Sequence, residues 1–517
     1  MATLYITETG TGAKDGSLPA PFSAADGITF AAGNTYYLLD TITSAISIGQ
    51  SGNSGNHIVI RGDYSGREAL LDGQNITDRM LGFNVKSWID FLNIAFVNPN
   101  TSNGQLLYLD RAQQITVRGC SFKGDGVTAG RGIRLYTQAS NGAPLQNITI
   151  DDNTFTDLVD AAFVITNYAN DSANVPNNIT FSNNTITNCF KAYQYIMTRS
   201  PDWTQVLGGY ACHTLDFDGN IVTDCVWGFI QLEWDDTGVS YFRNNVLTNI
   251  GNASSEFNNC VQLENCKGGF VEGNTIDGHT KFPSGGDGHA FILDYVYDST
   301  DADYFCDGVT VRNNIFKGAA SVWDGTGNPN HCAGIKCYRG TNNLIYNNVV
   351  DGCLTGLSNT YSGSTGNVFY HNTCVNILED GIRQDQSSAA CVYQNNIVTM
   401  ADVAGTVGIS WDDTGVAPTE SYNVIYNAET PAVGTGVTLD STDITTDPVV
   451  LANYKTGKDS PARSAGAYIA GYPTDYAGIK RRYPSTIGAY EVTVGDIADT
   501  RAARTVFNAR TVFNARV

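Results

Sequence analysis

A six-residue pattern recurs along most of this chain: an apolar residue, any residue, a polar residue, Asn, any residue and a second apolar residue. The copies are IDDNTF (150–155), FSNNTI (181–186), FDGNIV (217–222), FRNNVL (242–247), VEGNTI (271–276), VRNNIF (311–316), IYNNVV (345–350), FYHNTC (369–374) and YQNNIV (393–398). VRGCSF (117–122) is the same unit with Cys120 in place of Asn. Consecutive asparagines are 24 to 40 residues apart, which fits a structural rung of fixed length with loops of variable length.

Each copy consists of short alternating strands without a helical period, which excludes leucine-rich repeats, propeller blades and helical repeats. Such units bury their apolar faces by stacking on one another. The pattern therefore predicts an all-β fold, a single-stranded right-handed parallel β-helix of about 11–12 coils with N- and C-terminal caps. An Asn at a fixed bend of every coil bonds the backbone and amide of its neighbours, which predicts an asparagine ladder.

The cysteines follow the same repeat. Cys189, Cys225 and Cys353 each lie five residues after a repeat Asn, as stacked inward side chains would. No CxxC pair occurs among the 12 cysteines. We therefore expect buried thiols that pack as small apolar groups, and neither a disulfide framework nor a zinc ribbon.

Charge and hydropathy exclude some partners. The chain has 30 Lys and Arg against 51 Asp and Glu, a net charge of −21, which argues against nucleic acid. No run of 18 apolar residues is present, so no membrane insertion is expected. The first residues, MATLYITETG, lack a basic region followed by an apolar stretch, so no secretory signal is expected either.

Both ends of the chain carry a family resemblance. The opening LYITETGTGAKDGSLPAPFSAADGITFAAGNTYYLL, the segment HIVIRGDYSGREALLDGQ (57–74) and the closing DPVVLANYKTGKDSPARSAG and IGAYE (487–491) resemble right-handed parallel β-helix polysaccharide lyases, hydrolases and phage tailspike-like proteins. The resemblance covers roughly residues 3–492 and is specific for fold, because the family's activities are diverse. It implies an N-terminal cap with the first coils over 1–75, a β-helix over 76–430 and a closing cap over 431–492. The residues beyond the closing cap form a tail over 493–517.

Four segments align as one strand of successive coils: FIQLEW (229–234), CVQLEN (260–265), AFILDY (290–295) and GIKCYR (334–339). Their alternation places Leu232, Leu263 and Leu293 inward. The outward register then stacks three carboxylates, the candidate catalytic residues Glu233, Glu264 and Asp294.

Carboxylates on adjacent coils would lie roughly 5 Å apart and those on alternate coils roughly 10 Å apart, which brackets retaining and inverting glycoside hydrolysis. At the shorter distance the two do not both ionise freely, so one is expected to act as an acid. Two alternatives stay open, a solvated acidic ladder without a role and a Ca²⁺ site on the same three side chains. No other cofactor is required.

Polar residues near these carboxylates are candidate substrate contacts: Gln231, Gln262, Trp234, Asp235, Asp236, Lys267, His289, Lys336 and Tyr338. The sequence WDDTGV (234–239) returns at 411–416, and a turn with an inward Trp is the alternative explanation. Glu264, Lys267 and His289 partly resemble a lyase arrangement, but the expected following arginine is missing. A hydrolase is therefore favoured over a lyase.

The chain ends in ARTVFNARTVFNARV. In an extended strand a period of six keeps Arg504, Arg510 and Arg516 on one face and Phe507 and Phe513 on the other. This pattern predicts a docking strand that binds a neighbouring subunit or a virion particle. A frayed end is the alternative.

Three functions fit these observations. The first is a virion-associated, tailspike-like phage protein that binds a bacterial surface polysaccharide and, if it is an enzyme, depolymerises it. The second is a structural decoration or fibre protein of a virion without turnover, and the third is a secreted polysaccharide lyase or hydrolase. The missing signal disfavours the third. A homotrimer is expected by analogy with tailspikes.

Overall fold

A computed structural model describes residues 1–66, 68–74, 79–99, 102–127, 129–137, 144–167, 175–197, 212–225, 230–235, 238–250, 259–277, 289–294, 305–318, 333–360, 363–385, 391–411, 418–434 and 438–491. They divide into two compact units. The first comprises residues 1–288 and 294–307, and the second comprises residues 289–293 and 308–517. Among the described residues, no helix has the length or hydrophobicity needed to cross a bilayer.

Parallel strands build three faces in the first unit, named A1, B1 and C1. Strands are numbered in chain order. A1 contains β1 Thr3–Thr7, β2 Phe22–Ser23, β3 Thr35–Leu38, β6 Ile58–Arg61, β9 Ser87–Leu92, β12 Gln113–Arg118, β15 Gln146–Asp151, β18 Asn177–Ser182, β21 Leu215–Asp218, β24 Tyr241–Arg243 and β27 Phe270–Glu272. B1 contains β4 Thr41–Ile42, β7 Leu70–Asp72, β10 Ala95–Val97, β13 Ser121–Lys123, β16 Thr154–Thr156, β19 Thr185–Thr187, β22 Ile221–Thr223, β25 Val246–Thr248 and β28 Thr275–Asp277. C1 contains β5 Ile46–Ser47, β8 Arg79–Asn84, β11 Ser102–Asp110, β14 Ala129–Thr137, β17 Ala161–Asn167, β20 Lys191–Met197, β23 Ile230–Leu232 and β26 Val261–Glu264. A 3₁₀ turn covers Tyr64–Gly66.

The second unit has the same three faces, named A2, B2 and C2. A2 contains β30 Thr310–Arg312, β33 Leu344–Tyr346, β36 Val368–Tyr370, β39 Val392–Gln394 and β42 Thr419–Ser421. B2 contains β31 Ile315–Lys317, β34 Val349–Asp351, β37 Thr373–Ile377, β40 Ile397–Met400 and β43 Val424–Tyr426. C2 contains β29 Phe291–Asp294, β32 Ala333–Tyr338, β35 Thr355–Thr360, β38 Asp380–Gln384, β41 Val407–Trp411 and β44 Thr430–Val433. The last residue of β29, Asp294, belongs to the first unit and is described with C1.

Each coil visits the three faces in turn, and each strand pairs in parallel with its equivalents on neighbouring coils. Alternation fixes what is buried. In β15, for example, Ile148 and Ile150 are fully buried, whereas Thr149 between them is partly exposed. Like residues therefore stack on like residues, as Phe96, Phe122 and Phe155 do with ring centroids 4.8 and 4.9 Å apart. The predicted parallel β-helix is confirmed.

The asparagine ladder occupies the bend between the A and B faces. The backbone N–H and the side-chain amide of Asn153 both donate to Asn184 Oδ1, each at 3.0 Å. The Asn153 amide also donates to the Val117 carbonyl at 3.0 Å. The same set recurs at Asn184, Asn220 and Asn245, and Cys120, predicted to replace Asn at this position, donates its N–H to Asn153 Oδ1.

In the second unit the ladder runs further than the repeat pattern indicated. It passes from Asn314 through Asn348, Asn372 and Asn396 to Asn423. The repeat copies identified in the sequence did not include Asn423. The Asn423 N–H then donates to Asp443 at 2.7 Å, so a carboxylate closes the ladder.

The cysteines among the described residues are free and buried, as predicted. Cys189 and Cys225 are direct neighbours on adjacent coils, and burial raises the pKa of the Cys225 thiol to about 12. At that pKa the thiol stays protonated at neutral pH and packs as a small apolar group.

Residues 438–491 form no strand and pack along the second unit. Tyr472 stacks edge-on against Tyr346 and Tyr370 of face A2. Arg481 donates to Asn347 Oδ1 at 2.7 Å from a buried position. The domain boundaries predicted from the sequence otherwise stay predictions, although β1 and β3 within 1–75 already belong to face A1.

Candidate functional site

The outward side of C1 carries part of the predicted site. In β23 and β26, Leu232 pairs with Leu263 and Gln231 pairs with Gln262, which confirms the predicted register. Leu232, Leu263 and Leu293 are fully buried. Side chains at the positions between them therefore face away from the core.

One amide brings two of the three candidate carboxylates together. Gln262 Nε2 donates to Glu264 Oε1 at 2.6 Å and to Asp294 Oδ2 at 2.9 Å. Its own orientation is set by Asn259, which donates to Gln262 Oε1 at 3.2 Å. Because both carboxylate oxygens contact the same nitrogen, they lie no more than about 5.5 Å apart. Glu264 is 7% exposed and Asp294 is partly exposed.

Glu233 does not line an accessible groove, which corrects the prediction. Its residue is 1% exposed. Burial and, to a smaller extent, the charges of Cys212 and Glu233 raise the pKa of the interior phenols Tyr193 and Tyr195. A carboxylate this deeply buried cannot reach a polysaccharide.

Trp234 is also corrected as a substrate contact. It is fully buried, and its indole N–H donates to the Gly268 carbonyl at 3.0 Å, so the alternative of an inward Trp describes it. The neighbouring Asp235 contacts His213 Nδ1 at 2.5 Å. Lys267 donates to the Phe305 carbonyl at 2.7 Å, a contact that ties two loops together.

Earlier coils of C1 carry a cationic and aromatic surface that the sequence reasoning missed. Its residues are Arg79, Tyr108, Arg131, Arg134, Tyr136 and Lys191. The Arg79 guanidinium lies 3.8 Å from the Tyr108 ring centroid, and that of Arg134 lies 5.3 Å from the Tyr136 ring centroid. Arg134 also donates to Thr166 Oγ1 at 3.1 Å. This surface concentrates positive charge on a protein of net charge −21.

Two of its groups have displaced pKa values. Burial, followed by the charge of Asp110, raises the pKa of Tyr108 to about 12. Burial lowers the pKa of Lys191, against the opposing effect of Asp160. Arg131 and Asp160 form an ion pair at 2.6 Å in the same surface.

A register irregularity explains why alternation hid this surface. Arg131 and Arg134 are three residues apart, which strict alternation places on opposite faces. In the structure Arg131 pairs with Ala161 and Ile133 pairs with Phe163, so the strand pairing skips Gly132, which lies between them. A Cβ at Gly132 would lie 2.8 Å from the Phe155 ring, so this position turns inward and both arginines face out.

In the second unit, His289 and Lys336 are in contact on C2. The Ala333 N–H donates to His289 Nδ1 at 3.0 Å, and His289 Nε2 lies 3.2 Å from Lys336 Nζ. A ring nitrogen that accepts this bond carries no proton, so neutral His289 has its proton on Nε2. Lys336 is 5% exposed and lies 5.0 Å from the ring centroid of Tyr338.

Further along the same row of C2, Lys336 pairs with Ser358 and Ser358 pairs with Arg383. Arg383 donates to Asp380 at 3.0 Å and to Asp385 at 2.9 Å. The adjacent Glu379 is half-buried. Burial and the Asp380 charge raise its pKa to about 7, in spite of the opposing charge of Arg383.

Several predicted residues cannot be placed. Outside the described residues lie the side chain of Gln231, Asp236 and the docking residues Arg504, Phe507, Arg510, Phe513 and Arg516.

A Ca²⁺ ion takes 6–8 oxygen ligands. Within the described ranges, no three carboxylate, imidazole or thiol groups converge as a metal site requires. Glu264 and Asp294 instead accept from an amide, so the residues present do not by themselves fit a calcium site.

No protein-family model matches the chain, and no protein of curated function is similar to it in sequence. Several solved structures share its architecture loosely. XylC in complex with xylose is 10% identical over 95% of this chain and 98% of its own, with a TM-score of 0.38. The PL6 family alginate lyase AlyGC is 15% identical over 95% of this chain and 59% of its own, with a TM-score of 0.44. The GH136 lacto-N-biosidase from Eubacterium ramulus is 11% identical over 81% of this chain and 67% of its own, with a TM-score of 0.34. At these identities and scores the likeness carries no information on the reaction.

Proposed function

We propose that this protein binds and cleaves a polysaccharide on the outward side of C1, as a glycoside hydrolase. The observation that supports the proposal is the pair Glu264 and Asp294, held by one amide at a separation of no more than about 5.5 Å. Two carboxylates at that distance suit the retaining form of glycoside hydrolysis.

In this mechanism one carboxylic acid gives its proton to the glycosidic oxygen as the bond between that oxygen and the anomeric carbon breaks. The other carboxylate forms a bond to the anomeric carbon, and water later replaces it. Gln262 is a positioning residue, because its N–H group orients both carboxylates toward one point. Asp294 is the more exposed of the pair and is the better placed to meet the sugar.

The substrate class follows from the cationic surface of C1. Arg79 and Arg134 would pair with carboxylate groups of a sugar chain, and guanidinium groups do so in a bidentate geometry. Tyr108 and Tyr136 would stack on the apolar faces of the sugar rings. The proposed substrate is therefore an acidic polysaccharide.

A panel of acidic and neutral polysaccharides tests this proposal. New reducing ends without absorbance near about 235 nm would support hydrolysis with general acid catalysis. No product from any member of a broad panel, bacterial surface glycans included, would overturn the enzyme proposal and favour a binding or structural protein.

A lyase is the second candidate, and the contact between His289 and Lys336 favours it. Once deprotonated, a lysine amine is a base able to remove the proton next to a uronate carboxylate. Arg383, in the same row as Lys336, is a cation that could neutralise that carboxylate. Products that absorb near about 235 nm would replace the hydrolase proposal by this one.

We further propose that the protein is a virion component of a phage, attached through its C-terminal repeat. The support is the sequence of 504–516 alone, in which arginine and phenylalanine alternate on two faces of an extended strand. Deletion of 496–517 is expected to abolish binding to the particle or to the neighbouring subunit. Unchanged assembly after that deletion would show that the repeat is not the attachment segment.

A further inference from the structure

A groove lies on face A1, whereas the candidate site residues described above lie on faces C1 and C2. It has a volume of about 290 Å³ and is lined by His57, Gln114, Thr116, Asn147, Thr149 and Thr180, among others. The lining residues belong to the first unit and lie on β12, β15 and β18, apart from His57, which directly precedes β6.

The walls of the groove come from two stacked rows. In the first row Thr116, Thr149 and Thr180 line the groove and Asp90 precedes them, all paired in register on consecutive coils. In the second row Gln114, Asn147 and Asn178 line the groove and Trp88 precedes them, each at the second position of its strand with a φ between 53° and 61°. The strand pairing skips these four positions. For example, Ser87 pairs with Gln113 and Ile89 pairs with Ile115, so Trp88 and Gln114 lie between paired positions. The column of bulges opens the space between the rows.

Trp88 is the unusual member of the second row. A positive φ suits Asn, whose short polar side chain tolerates the left-handed region, but is unfavourable for a bulky residue. The indole is not buried in the core but partly exposed, and it packs against His57 of the groove lining. Its ring centroid lies 5.2 Å from that of His57, and His57 Nδ1 contacts Asp90 Oδ2 at 2.9 Å. Backbone strain at a bulky, partly exposed side chain points to a use for that side chain.

The lining chemistry identifies the ligand class. Threonine hydroxyls and asparagine and glutamine amides both donate and accept, as the hydroxyl groups of a sugar do. The partly exposed indole of Trp88, beside His57, offers a surface for the apolar face of a pyranose ring. The one lining cation candidate, His57, is already paired with Asp90, so the groove offers no counterpart to a sugar carboxylate. The volume is at the lower limit of small-molecule pockets, about 300 Å³, which suits a short stretch of one chain.

We propose that this groove binds an uncharged saccharide segment, as a carbohydrate-binding site separate from the cleavage site. Such a site would hold the protein on a polysaccharide through contacts that are independent of catalysis. The proposal does not depend on whether C1 or C2 performs chemistry.

Two variants test the groove. Trp88→Asn introduces the residue type that β15 and β18 already use at the same register, so the fold is expected to be retained while the stacking surface is lost. Thr149→Arg places a long side chain in the middle of the groove. Thr154→Arg is the matched control, because Thr154 is exposed on face B1.

The measurement is retardation in native gels that contain dextran, glucomannan or mixed-linkage β-glucan, with alginate as the acidic comparison. At least one neutral polymer is expected to retard the protein. Trp88→Asn and Thr149→Arg are each expected to weaken that binding at least about tenfold, whereas Thr154→Arg leaves it unchanged. Circular dichroism of each variant confirms that the fold is retained.

Two outcomes would overturn the proposal: no retardation of the wild-type protein by any neutral polymer, or equal retardation of the wild type and both groove variants. Product formation does not enter this readout. A failure of the groove proposal is therefore distinguishable from a failure of the proposed cleavage.

Discussion

At the scale of single residues, cleavage is expected to depend on Glu264 and Asp294. Replacing either carboxylate by its amide keeps the shape but removes the acid or the nucleophile, so Glu264→Gln and Asp294→Asn should each lower kcat by about 10²- to 10⁴-fold. Reducing-end release measures the effect. Glu68→Gln is the control, since Glu68 is exposed and away from C1. Near-wild-type turnover in both variants would remove this pair from the mechanism.

Gln262 is predicted to act through its two carboxylate partners. Its N–H groups stabilise the charged carboxylates, so Gln262→Leu should raise their pKa values and move the acidic limb of the kcat/KM profile to higher pH. Gln262→Asn, which keeps an amide, should restore part of the activity. A lower kcat with an unchanged pH profile would indicate a purely structural role.

At the scale of one element, the asparagine ladder is predicted to carry much of the stability of the A–B bends. Asn220 donates to Asn245 and to the Phe181 carbonyl and accepts from Asn184, all without solvent contact. Asn220→Ala leaves buried partners unsatisfied, each at a cost of about 1–3 kcal/mol. Because repeats unfold locally, hydrogen exchange at coils next to Asn220 is the appropriate measurement. Protection equal to that of the wild type would contradict the ladder's role.

The carboxylate that ends the ladder gives a pH dependence. Burial and Glu420 raise the pKa of Asp443 from 3.8 to about 8. The folded state therefore binds this proton more tightly than the unfolded chain, so its stabilising contribution is complete at acidic pH and is lost as the pH rises through the folded value. Tm is expected to fall between about pH 4 and about pH 8 and to show no further effect of this group above that range.

Asp443→Asn should remove this part of the pH dependence, because an amide continues the ladder without a charge. Asp459→Asn is the control, since the Asp459 side chain is 80% exposed. If the wild type and Asp443→Asn lose Tm in parallel, the titrating group lies elsewhere.

At the scale of the whole molecule, a net charge of −21 opposes the approach of an acidic polymer, whereas the cationic surface of C1 attracts it. The repulsion between the protein's net negative charge and the polymer acts over longer distances than the local attraction. Added salt therefore screens this repulsion first. The KM for an acidic polysaccharide should therefore fall as NaCl rises from about 10 to about 100 mM and then rise at higher salt. A KM that is independent of salt would argue against charge recognition. A neutral polymer bound in the A1 groove should show no such dependence.

Much of the fold was predictable because its determinants are local. The spacing between Asn184 and Asn220 identifies coils whatever the loop length, and the alternation around Leu232 and Leu263 fixes the register of a strand. The same alternation brought Glu264 near Asp294. Alternation did not predict that Glu233 is buried, because burial depends on what covers a strand and not on the strand's register.

The sequence by itself determined the repeating coil, the ladder residues and the inward positions, since each follows from a pattern within one strand or bend. The tertiary structure decided which polar side chains share a surface. Arg131 joins Arg134 only because Gly132 turns inward, and Trp88 meets His57 only because a bulge column opens between coils. Contacts between coils depend on such one-residue irregularities, and a periodic sequence pattern does not show where they occur.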